Sequence, residues 1–118
     1  MQDLPRMYAY AFGYIYPMYV EKVIKKGRTE DELQQIIAWL TGYNGAKLQQ
    51  AIDDERTMQE FFAKAPALNP DRKLITGVIC GVRVEDITEP TMQEIRYMDK
   101  IVDELAKGKA IEKIMRKG

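Results

Sequence analysis

Four carboxylates in the second half of the chain are the residues best suited to chemistry. Asp99 and Asp103 are four apart on a predicted helix and so face the same way, with Glu85 and Asp86 shortly before them. Paired carboxylates of this kind can hold Mg²⁺, which prefers oxygen ligands, and a Mg²⁺-dependent phosphate-ester or nucleotide enzyme could use them. The competing reading is a solvated face on which Asp99, Lys100, Asp103 and Lys107 pair as ions, with Arg83 and Arg96 in the same network. Histidine is absent, which excludes Ser-His-Asp and Cys-His catalysis and every histidine-dependent metal site. The lone Cys80 sits among apolar residues and reads as a buried, inert thiol. The balance leans away from an enzyme, and no cofactor is expected.

Two other groups offer binding rather than catalysis. Five of the seven tyrosines fall between Tyr8 and Tyr19. Tyrosine is amphipathic and favoured at interfaces, so Tyr10, Tyr14, Tyr16 and Tyr19 are candidate contact residues. Gly77 and Gly81 are four apart; on a helix they would bare one face to a close-packed partner. Basic residues cluster in two runs, Lys22, Lys25, Lys26, Arg28 and Lys107, Lys109, Lys113, Arg116, Lys117. If the two runs meet in space they form an anion patch around Lys22, Lys25, Lys26, Arg28, Lys109 and Lys113.

Those residues must be positioned by helices. At 118 residues the chain fits one domain, and 46% apolar with 31% charged residues is an ordinary globular balance. Residues 1–7 read as a flexible tail and residues 8–118 as one helical domain. Pro17 suits the first turn of a helix that Gly27 ends. Thr29 with Glu32, Thr57 with Glu60, and Thr91 with Glu94 have the spacing of capping boxes. Leu33, Ile36, Ile37 and Leu40 recur at helical spacing, as do Met92, Ile95, Met98, Ile101, Val102 and Leu105. Asn69-Pro70-Asp71 signals another helix start.

The stretch 74–84 is ambiguous between strand and helix. Its β-branched residues suit a strand, but the start signal and the lack of any partner strand elsewhere favour helix. The expected fold is an all-α, compact, single-domain bundle of six or seven helices.

Several strings are familiar as a set: Tyr16-Pro17-Met18-Tyr19-Val20, Trp39-Leu40-Thr41-Gly42-Tyr43, Leu68-Asn69-Pro70, the run from Leu74 to Glu85, Ile95-Arg96-Tyr97-Met98-Asp99-Lys100, and Val102 to Lys109. Together they resemble a family of small uncharacterised bacterial proteins, domain of unknown function 2200, over about residues 12 to 117. The tyrosine-rich Tyr8 to Tyr14 departs from it. The resemblance implies a bacterial cytosolic protein and supplies no chemistry.

The functional expectation is a cytoplasmic module that binds a protein partner or itself. The equal count of 18 basic and 18 acidic residues argues against a surface devoted to nucleic acid. The apolar run Tyr8 to Val20 is too short to span a bilayer.

Overall fold

In the computed structural model, residues 9–117 are described. The expected tail, residues 1–7, lies outside them. Among the described residues six α-helices run in order: α1 Phe12–Lys25, α2 Glu30–Thr41, α3 Gly45–Asp53, α4 Met58–Ala63, α5 Pro90–Ala106 and α6 Ile111–Ile114. Between α4 and α5 come a 3₁₀ turn at Pro70–Leu74, a hairpin of β1 Val78–Ile79 and β2 Val82–Arg83, and a second 3₁₀ turn at Val84–Asp86. The protein is predominantly helical, as its periodicity predicts.

Local chemistry sets most of the boundaries. Both the Thr29/Glu32 and the Thr57/Glu60 capping boxes form, each side chain bonding the other residue's backbone N–H. At α5 the cap is Glu89, whose carboxylate accepts from the Met92 N–H, with Pro90 in the first turn. Glu94, the expected partner of Thr91, is instead taken by Arg72. Pro17 lies inside α1, which begins at Phe12. The helix accommodates it because Pro17 is exposed and its missing N–H leaves only the Gly13 carbonyl without a helical donor.

The core gathers around α5, which packs against α1, α2, α4, α6 and the hairpin. Every predicted stripe residue of α2 and α5 is buried. At the far side Phe12, Phe61 and Tyr43 stack, with ring centroids 3.9 Å and 4.3 Å apart. The chain before α1 is tied to the chain before α4, where Met58 N–H donates to the Tyr10 carbonyl and Phe12 N–H to that of Arg56.

The helix expected across residues 74–84 does not form. The Asn69-Pro70 signal works, since the Asn69 side chain accepts from the Asp71 N–H, but it opens only one 3₁₀ turn. Ile75 then enters the core, and the chain reverses with Ile79 opposite Val82 and Val78 opposite Arg83. The turn residues Cys80 and Gly81 both have positive φ, 53° and 81°, as a two-residue type I′ turn requires. Gly77 is left-handed as well, at φ 110°. Gly77 and Gly81 therefore share no helix face. Cys80 is exposed rather than buried, because it sits at the hairpin tip.

Candidate functional site

The four candidate metal-binding acids differ in their surroundings. Asp99 accepts from the Tyr19 hydroxyl at 2.6 Å and from Arg96 at 2.8 Å. Asp103 lies between Lys22 at 3.2 Å and Lys107 at 3.1 Å. Glu85 accepts from the Gly77 N–H at 2.9 Å, with Arg83 at 3.6 Å. Asp86 is exposed in the second 3₁₀ turn. Among the described residues no three Asp, Glu or Cys side chains converge as a metal-holding group. The acids of the helix are paired, Asp99 with Arg96 and Tyr19 and Asp103 with Lys22 and Lys107, so that two of their partners come from α1 rather than from the helix's own face. Burial works against the Asp103 charge, but bonds from Lys107 and Lys22 outweigh it and leave its pKa below the ordinary value. Glu85 is lowered too, chiefly by the Gly77 N–H.

The tyrosines divide into two sets. Tyr16 and Tyr19 are buried, which corrects their expected place on a contact surface. Tyr16 donates to Glu30 and accepts from Gln34, while Tyr19 reaches Asp99. They belong to the core face of α1 with Phe12 and Val23. Tyr10 and Tyr14 lie on the other side, 37% and 63% exposed, with Met18 at 46% continuing the line. The rings of Tyr10 and Tyr14 are 6.0 Å apart.

Buried phenols give this fold an alkaline limit. Burial pushes the Tyr16 hydroxyl from 10.0 up to about 12. Burial, then the Asp99 charge, pushes Tyr19 well above the ordinary value. Tyr43 and Tyr97 shift the same way by burial. A phenol with a higher pKa folded than unfolded binds more protons in the folded state over that window, so stability falls as pH rises. For Tyr16 the contribution is complete below pH 10.0 and is lost as pH rises toward about 12. Melting temperature should therefore decline through that interval with tyrosinate formation accompanying unfolding. A flat or rising melting temperature there would contradict it.

The two basic runs do meet. Arg28 donates to the carbonyl oxygens of Leu105 at 3.3 Å and Lys109 at 3.0 Å, while also pairing with Glu32. Lys22 joins Lys107 across Asp103. Beyond them Glu104, only 7% exposed, binds Arg116 at 2.7 Å and Lys109 at 3.4 Å through one oxygen. Its other oxygen is sealed from solvent without a partner among the described residues. Asp103 and Glu104, with Lys100, Lys107, Lys109 and Lys113, line an open basin of about 620 Å³ at the junction of α5 and α6. Lys25 and Lys26 stand exposed at the end of α1 and make no ion pair among the described residues.

A protein-family model described as an uncharacterized protein conserved in bacteria, DUF2200, matches residues 6–116. The chain belongs to this family. The crystal structure of an uncharacterized protein, SP1917, is similar to this DUF2200 chain at 41% identity, with a TM-score of 0.89, covering 98% of this chain and 93% of that one. No curated protein matches the chain. No helix among the described residues of this DUF2200 member is long and apolar enough to cross a membrane.

Proposed function

We propose that this chain is a non-enzymatic binding module that pairs with a second copy of itself through the outer face of α1. The observation that carries the reading is the line Tyr10, Tyr14, Met18, each large and each more than a third exposed. Tyr14 and Met18, four apart, lie above one another on α1, and the ring of Tyr10, from the bend before the helix, stands 6.0 Å from that of Tyr14, so the three make one strip. Tyrosine and methionine are enriched at protein interfaces, and tyrosine loses little side-chain freedom on being held. A two-fold axis beside such a strip brings each residue against its own counterpart, the commonest symmetry of homo-oligomers.

Sedimentation of the full chain at rising concentration tests this. The expected result is a dimer that Tyr14→Glu weakens by about 2 kcal/mol, roughly 30-fold in Kd, without lowering helix content. A monomer at every concentration overturns self-association. A dimer indifferent to Tyr14→Glu overturns the choice of face.

The compartment we propose is the cytoplasm, where an exposed free thiol such as Cys80 stays reduced. Recovery of the protein in the envelope fraction of bacterial cells would contradict it.

A further inference from the structure

We propose that the basin at the junction of α5 and α6 binds a small molecule carrying two or more phosphate groups. Charge around it is unbalanced. Asp103 is already shared by Lys22 and Lys107, and Glu104 by Lys109 and Arg116. Two carboxylates thus hold four cations and neutralise half their charge. Lys100 and Lys113 also line the basin. Lys100 has only a long 3.4 Å bond to the Val78 carbonyl, and Lys113 makes no ion pair among the described residues. Four lysines therefore line the basin, and its two carboxylates are each also paired by a cation outside the lining, Lys22 and Arg116.

A helix C-terminus would ordinarily absorb some of that surplus, because its free carbonyls attract cations. Here Arg28 takes the Leu105 carbonyl, and the Lys109 carbonyl beyond it, from the opposite side. The lysine charges are left for a ligand. Each phosphate monoester carries about 1.5 to 2 negative charges at neutral pH, so two phosphates match the surplus. The basin's volume of about 620 Å³ lies within the range of small-molecule sites. Four lysines share this concavity in a chain of zero net charge, which favours a compact ligand over a nucleic-acid strand, whose backbone would track an extended basic face.

Glu104 is a positioning residue in this arrangement. Its largely buried carboxylate, part of the basin wall, fixes Lys109 at the rim and pairs with Arg116.

Calorimetric titration of the full chain with inorganic phosphate, pyrophosphate and tripolyphosphate, with sulfate as the control anion, tests the proposal. Affinity is expected to rise from phosphate to pyrophosphate to tripolyphosphate. Lys113→Glu should weaken pyrophosphate by about tenfold, whereas Lys47→Glu, exposed on α3 and outside the basin, should leave it unchanged. Circular dichroism of each variant shows whether it folds, and Lys113→Gln gives a milder second test of the same position. No binding of any polyphosphate at low salt overturns the proposal. So does an equal loss in the Lys113 and Lys47 variants, or sulfate binding as well as pyrophosphate. Retention on mixed-sequence RNA without polyphosphate binding overturns it in favour of a nucleic-acid surface. None of these outcomes bears on the pairing of α1.

Discussion

Replacing Phe61 with alanine should cost about 4 kcal/mol of folding stability and lower Tm by roughly 15 °C in a chain of this size. Phe61 is fully buried and stacked on two sides, against Phe12 at 3.9 Å and Tyr43 at 4.3 Å, with Phe62 edge-on at 5.1 Å. Its backbone carbonyl also anchors the Tyr43 hydroxyl at 2.6 Å. The stack joins α1, α4 and the loop after α2, so removing the middle ring leaves two flat faces with no shared partner. Aromatic pairs contribute about 0.5–1.5 kcal/mol beyond their buried area, and both pairs are lost at once. Denaturant unfolding measures it. A loss under about 2 kcal/mol would show that the neighbours close over the gap and that the stack is not what ties α1 to α4.

Gly13→Ala is expected to destabilise by about 2 kcal/mol, against the sign that helix propensity alone would give. In an open helix interior, alanine in place of glycine gains about 1 kcal/mol. Gly13, however, lies inside α1 where it crosses α3, and a Cβ there would overlap the carbonyl oxygen of Ile52. The obstacle is backbone held within α3, which cannot rotate away as a side chain could, and overpacking of this kind costs about 1–3 kcal/mol or more. The clash outweighs the propensity. A thermal melt decides it by sign: a rise in Tm for Gly13→Ala would mean the α1–α3 contact is looser than the structure has it.

The helices were legible because their signals are local. A capping box spans four residues and an amphipathic stripe about twelve, so Thr29, Thr57 and the stripe from Leu33 to Leu40 announced themselves. The hairpin was not, for reasons that are also physical. Two-residue strands carry no alternation to detect, and the partner of β1 lies only two residues beyond it, inside the stretch being judged. The usual Asn-Gly turn signature is replaced by Cys80-Gly81. The start of α1 was hidden because Ala11 makes no side-chain cap, which left Pro17 as the most visible beginning.

At the site, the two basic runs can be read as clusters, but whether they meet depends on the tertiary packing. Nothing in the spacing of Arg28 says that it will reach Leu105, 77 residues away. The same limit applies to Asp99 and Asp103. Their shared helix face follows from spacing, but their partners Tyr19 and Lys22 come from α1, and only the tertiary packing brings that helix alongside. Tyr16 and Tyr19 could not be separated from Tyr10 and Tyr14 by residue type. The 3.6-residue turn separates them once Phe12 fixes which side of α1 is inward.

The placement of α5 at the centre of the core carries a consequence for how the protein is made. Synthesis runs from the N-terminus, and α1, α2 and α4 all leave the ribosome before Pro90 does. Each is covered in part by α5, besides the contacts α1 makes with α2 and α3. Until that helix emerges, the nascent chain can form the Phe12–Phe61 stack but lacks the element that α1, α2 and α4 all pack against. Folding of this domain is thus a late event in translation, and the nascent chain depends until then on whatever shields its apolar faces.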